Sequence, residues 1–173
     1  MDLDALDLHR AEHDLFLKEH YASPLDEADQ ETFAGLDYFA PDPAWVIAGV
    51  FHESEPTEVP IVASSGTRSH YTMVGEVAAV VGGREYRLAV LDDGDGGSFI
   101  PFRDGTAGDT TYRGGRYVSP EVADDGSTII DFNRAFNPWC VYDDEFICPL
   151  PPPANLIEVP ISAGEMIWRR STG

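Results

Sequence analysis

From Trp45 onward the apolar positions fall in short runs broken by glycine and proline, the spacing of strands rather than helices. These runs predict strands over 45–51, 59–63, 71–81, 85–91, 98–102, 128–132 and 156–161. The clearest is a hairpin: Val77 to Val81, a Gly82-Gly83 turn, then Arg84 to Leu91 with alternating polarity. Before Trp45 the period changes. Leu3 to His20 reads as a helix with an apolar stripe of Leu8, Ala11 and Leu15, widened by Ala5 and Phe16. His9, His13 and His20 share another face of it beside Leu6 and Leu17. His9 and His13, four apart, could share a metal; a mixed surface or subunit contact is the plainer reading. Ser23-Pro24-Leu25-Asp26 supplies an N-cap, a proline at the first helical position and an early acid, so a second, short helix is expected to begin there and end by Gly35.

Sequential hairpins with few later helices favour a mainly β fold, an antiparallel barrel or sandwich carrying an N-terminal helix and a second short helix, α+β by content. The 173 residues fit one domain, with a helical segment over 1–40 packed on a β core over 45–165. Two connections are long: 103–125 and 133–155. Structureless stretches of that length in a domain are functional or disordered, and Tyr112, Tyr117, Phe136, Trp139, Tyr142 and Phe146 argue that these are packed. The turn Asp92–Gly97 resembles a calcium loop only superficially, lacking an oxygen ligand and a glycine at the required positions, and reads as a solvated acidic turn.

Composition changes the picture in one respect. Acidic residues number 31 against 11 basic ones, net −20, and Lys18 is the only lysine. Such a surface is suited to concentrated salt, where a screening length of about 3 Å at 1 M quenches self-repulsion. The same charge excludes nucleic acid as a partner, since phosphate neutralisation needs basic clusters and the only adjacent basic pair is Arg169-Arg170. The longest apolar run, Ala44 to Phe51, is far short of the ~20 residues a helix needs to cross a bilayer, so no membrane role is expected. The acidic Met1-Asp2-Leu3-Asp4 start lacks the order of a signal peptide, and a cytoplasmic protein is the expectation. The sequence leaves the oligomeric state open.

The candidate chemistry lies in the two long connections. Asp104, Tyr112, Arg116 and Tyr117 from the first, with Asp131, Asn133, Arg134 and Asn137 from the second, make a set of cations, carboxylates, amides and phenols. Arginine forks bind carboxylate or phosphate bidentately, which suits an anionic small molecule. In an acid/base enzyme such as a hydrolase, Asp104 or Asp131 would be the base, Arg116 and Arg134 the clamp, and Tyr112 a proton donor. Against this stands a structural reading, in which the same groups bind one another and tie the loops down. Cys140 and Cys148, with seven residues between them, read first as structural thiols or a reversible disulfide worth roughly 2.5 kcal/mol, with a metal site and a nucleophilic or redox centre as the lesser alternatives. No metal set, phosphate-cradling loop, nucleophile elbow or dinucleotide fingerprint is present, so no cofactor is expected, although neither a metal nor a flavin is ruled out.

Asp104-Gly105-Thr106, Gly108, Thr111-Tyr112, Gly114-Gly115-Arg116-Tyr117, Asp131-Phe132-Asn133-Arg134-Ala135, Asn137-Pro138, Cys140, Cys148-Pro149-Leu150-Pro151-Pro152 and Asn155 occur in one order that resembles a prokaryotic domain-of-unknown-function family, number 1684. The likeness runs from about Ser23-Pro24 through Ala163-Gly164-Glu165. The chain departs from it at Ala107, Thr110 and Trp139, where the family favours serine, glutamate and proline. The resemblance carries no catalytic assignment. Three readings therefore stand: a domain that binds a small, anionic molecule and acts on it by acid/base chemistry, a non-catalytic interaction module, and a flavin-binding barrel. The charge pattern makes one expectation independent of these: thermal melts should show the midpoint rising by several degrees between dilute buffer and about 1 M KCl. An unchanged midpoint would remove the salt argument.

Overall fold

A computed structural model describes residues 1–170. Seven strands, Val46–Val62 (β1), Arg68–Val81 (β2), Arg84–Asp92 (β3), Ser98–Phe102 (β4), Arg116–Val118 (β5), Glu121–Val122 (β6) and Ser127–Asp131 (β7), form one sheet in the order β5-β4-β3-β2-β1-β7-β6. All pairings are antiparallel, and the sheet curls into a half-barrel rather than a sandwich. Its concave face holds the main core: Val77, Ala79 and Val81 of β2, Leu88 and Val90 of β3, Ile100 and Phe102 of β4, Val118 and Ile130. Ile157, Ile161 and Ala163 close this core from the C-terminal side.

The Gly82-Gly83 hairpin forms as predicted, pairing Val81 with Arg84, and both glycines take the positive φ such a turn demands (58° and 82°). Two expected strands, 45–51 and 59–63, are instead one. The polar run His52 to Thr57 with Pro56 reads as a turn in sequence, but the chain absorbs it as a register irregularity between Glu53 and Thr57 and continues pairing with β2. β5 and β6 were not expected, because strands of three and two residues carry no periodicity. The run 156–161 alternates in burial as a strand would, yet it is not one. Pro160 lacks an N–H to donate, and the segment is held by the 103–105 loop, through Ile157 N–H to Arg103 O (2.8 Å) and Gly105 N–H to Val159 O (3.1 Å).

The two helices, Leu3–Glu19 (α1) and Glu27–Thr32 (α2), stand where the sequence placed them, with two corrections. The N-cap of α2 is Asp26, not Ser23. Ser23 Oγ is engaged on α1, donating to Leu17 O at 2.7 Å while accepting from Leu25 N–H. The buried face of α1 is also not the leucine stripe: Leu8 and Leu15 are 60% and 54% exposed, whereas Leu6 and Leu17 are sealed. Polar groups decide the orientation. Arg10 donates to Phe39 O and Asn133 O and stacks over Tyr38, and Asp14 accepts from Leu36 N–H and Tyr38 Oη–H. Those directed bonds act together with the burial of Leu6 and Leu17 on the same side of the helix. No described helix is long and apolar enough to cross a membrane.

The hairpin turn gives a paired test. A Cβ on Gly82 would lie 2.7 Å from Val159 Cγ1, while one on Gly83 meets nothing within 4 Å. Gly83→Ala should cost only the strain of positive φ, about 1 kcal/mol. Gly82→Ala should cost about 1–3 kcal/mol more, because Val159 must move. Urea unfolding of the two variants checks this, and equal losses would mean that the C-terminal segment does not press on the turn.

Candidate functional site

Arg116 enters from β5 and Asp104 from the loop after β4, and their side chains are 0% and 2% exposed. They approach to 3.6 Å. The Arg116 guanidinium donates to three backbone carbonyls of the C-terminal segment: Ala163 O, Glu165 O at 3.0 Å and Ile161 O at 3.0 Å. Asp104 accepts from Ile161 N–H at 2.6 Å and from the Thr106 hydroxyl at 2.9 Å, and Thr106 in turn bonds Thr111. Phe102 lies beneath the guanidinium, 5.2 Å from ring centre to Cζ. These two predicted residues thus meet, but in a closed interior where they fasten chain segments, with only Arg116 Nε of the pair left without a partner among the described residues.

The second predicted set is separate. Asp131 accepts from Asn133 N–H and Nδ2–H, and Arg134 approaches it at 3.8 Å while remaining about one-third exposed. Asn133 also exchanges bonds with both backbone groups of Asp42 (2.8 and 2.9 Å), fixing the entry to β1. Asn137 belongs to a third group around Glu165, a carboxylate only 2% exposed. Glu165 accepts from Asn137 N–H at 2.7 Å and Tyr142 Oη–H at 3.5 Å, and pairs with His13 Nδ1 at 2.7 Å. Asn137 Nδ2–H donates to Met166 O.

Tyr112, Tyr117, Cys140 and Cys148 converge elsewhere. Cys140 N–H donates to Cys148 Sγ at 3.4 Å, and the Cys140 thiol lies 3.9 Å from Tyr112 Oη. Ser64, at the turn of the long β1–β2 hairpin, accepts from Cys148 N–H at 3.0 Å. The hydrogen bond from Cys148 is the main reason the Cys140 thiol is pushed down to about 6, with Ser64 and Tyr112 helping against the opposing effect of burial. Cys148 moves up, because it is the donor and because it is buried. The pair therefore gives up one proton readily and holds the second. Burial, then the neighbouring Cys140, raises Tyr112 to about 12, so its hydroxyl keeps its proton and can donate to a thiolate. Tyr117 Oη–H is fixed to Pro149 O at 2.7 Å.

Beside the thiols is a recess of about 330 Å³ walled by Phe99, Tyr117, Phe136, Trp139, Phe146 and Cys148. Tyr117 is its hinge: Phe99 tilts against it at 4.8 Å and Phe136 meets it edge-on at 5.9 Å. Trp139 and Phe146 form a second edge-to-face pair at 5.1 Å. A larger recess of about 540 Å³ lies between the α2 region and the 109–110 loop, with Asp29, Asp37 and Asp109 on its wall, but Asp29 is already paired with Arg170 at 2.6 Å. Among the described residues no three His, Cys, Asp or Glu side chains gather as a metal site.

Residues 31–166 match the family model described as Protein of unknown function (DUF1684). The chain belongs to this family. Among solved structures it is similar to an uncharacterised protein of Haloarcula marismortui determined by solution NMR, at 34% identity and a TM-score of 0.73, over 96% of this chain and 97% of that one. Curated proteins give no match.

The DUF1684 match takes in both long connections and the C-terminal segment as far as Met166, so the buried staples and the thiol pair all lie inside it. Three participants were not singled out from sequence as members of the site. Glu165 and Ser64 have no spacing relationship to their partners, lying 28 positions from Asn137 and 84 from Cys148. His13 was read as part of a surface or metal stripe, and its actual partner comes from the opposite end of the chain.

His13 yields a pH test. Burial disfavours its charged form, but the hydrogen bond and charge of Glu165 outweigh this and its pKa is raised. A raised folded pKa stabilises fully below the ordinary histidine value and is lost as pH rises through the folded value. Unfolding free energy should therefore fall as pH rises above the ordinary histidine value of about 6.5 and through the folded one, and His13→Gln should flatten that slope. A slope unaffected by the substitution would show that Glu165 does not hold a proton on His13.

Proposed function

We propose that this DUF1684 chain is a small-molecule-binding domain whose ligand is an uncharged, ring-sized apolar molecule seated in the aromatic recess. The observation that carries the reading is the convergence of five aromatic side chains on about 330 Å³ of open space next to a thiol. Pockets of this size and lining are the usual ligand sites of small domains. The anionic ligand suggested by the arginines is less well supported, because Arg116 is sealed on backbone carbonyls and only Arg134 reaches solvent. Any acid/base step would fall to Tyr112 and the thiols rather than to Asp104. A cytoplasmic setting in concentrated salt is part of the same proposal, supported by the net charge of −20 and by the haloarchaeal source of the structural relative.

The sealed Arg116–Asp104 pair favours a second reading, a non-catalytic module in which the loops are scaffold. Fluorescence titration in about 1 M KCl separates the two. N-phenyl-1-naphthylamine should bind saturably at one site and quench Trp139. Trp139→Ala should weaken it about tenfold, or about 1.4 kcal/mol. Riboflavin serves as a parallel probe for the flavin reading, and inorganic phosphate should not compete. Binding that fails to saturate, or that Trp139→Ala leaves unchanged, would favour the scaffold; phosphate binding abolished by Arg134→Ala would restore the anionic ligand.

A further inference from the structure

Cys140 and Cys148 are the two cysteines of the chain, and both are free thiols. Their meeting is built rather than incidental. The loop between them begins with the 3-10 turn Trp139–Val141, which aims the Cys140 N–H at Cys148 Sγ, and it ends on Ser64, which holds the Cys148 backbone. Ser64 Oγ also donates to Phe146 O at 3.3 Å, so the β1–β2 turn grips the loop twice. The sulfurs differ in access. Cys140 is 7% exposed and faces inward toward Tyr112, whereas Cys148 forms part of the recess wall. One reachable thiol whose sulfur accepts from the backbone N–H of a second, shielded cysteine has the layout of an attacking and a resolving cysteine. Two purely structural thiols would have no need of this asymmetry.

We propose that Cys140 and Cys148 form a dithiol–disulfide redox centre that reduces low-molecular-weight disulfides admitted through the aromatic recess. The dithiol first gives one proton to solvent, and the shared thiolate is favoured by the remaining S–H, the Cys140 N–H and the Tyr112 hydroxyl. Cys148 Sγ, passing its proton to the Cys140 thiolate, then attacks one sulfur of the small disulfide, whose S–S bond breaks; the first thiolate leaves and takes a proton from solvent. Cys140, deprotonated in turn, attacks Cys148 Sγ and expels the second small thiol. The protein loses two electrons and two protons to a disulfide, and the small disulfide becomes two thiols. The centre is independent of which apolar ligand the recess takes, and a sulfur-based readout keeps the two questions apart.

The test uses the whole reduced chain, in salt, with cystamine as the disulfide, a cation suited to a recess with Asp93 on its wall in a chain of net charge −20. Intact mass spectrometry should show the wild type losing two hydrogens and retaining no adduct. Cys140→Ser should stop at one cysteamine bound to Cys148, and Cys148→Ser should react much more slowly. The wild-type rate should rise with pH through a midpoint below the ordinary thiol value of about 8.5. Circular dichroism confirms that each variant is folded, and the wild-type result needs no variant. A folded wild type that stays a dithiol, that keeps a cysteamine on each sulfur, or whose two single variants react alike would overturn the proposal.

Discussion

A guanidinium with no exposed surface has to be neutralised and hydrogen-bonded where it sits, and in this protein that requirement ties the C-terminal segment to the sheet. Arg116 meets it with Asp104 and with three carbonyls at Ile161, Ala163 and Glu165. None of those carbonyls belongs to a strand of the sheet, so the C-terminal segment that covers the core is held by a side chain together with scattered backbone bonds to the loops, such as Ile157 N–H to Arg103 O and Glu165 N–H to Ala135 O. Removing one member of such a buried pair leaves the other uncompensated, at a cost of about 3–5 kcal/mol. Asn155 works in the same way on the outer strands, exchanging two bonds with Ala89 and donating to Pro101 O.

The latch extends to the N-terminus. Glu165, whose carbonyl is held by Arg116, uses its carboxylate to hold His13 of α1 and the backbone of Asn137. A helix docked by directed polar bonds can leave leucines in solvent, which explains why Leu8 and Leu15 face outward. The arrangement also divides the electrostatics of an acidic chain into two parts. The surface excess is governed by salt, whereas the buried pairs are screened much less.

Fixing the loops internally leaves their other side chains available. The staples at Asn133, Asn137 and Ser64 pin the chain around residues 133–148, and what projects from that pinned chain is aromatic and sulfur-bearing. The charged residues that look most chemical in the sequence act as fasteners. The recess and the two thiols are what the fasteners hold in place.

The sequence by itself determined the elements whose signals are local: the Gly82-Gly83 turn, β2 and β3 on either side of it, α1, the acidic surface, and the family motifs. It also singled out Asp104, Arg116, Asn133, Asn137 and the cysteine pair, all of which the structure buries or half-buries, without saying what each would touch. Only the tertiary structure decided that. The partners of Arg116 are peptide carbonyls 45 to 49 positions away, and a carbonyl is the same at every residue, so no pattern of side chains announces it. The same holds for the face on which α1 packs and for the run 156–161, where alternation correctly gave the buried positions but could not say whether a strand or an arginine would hold them.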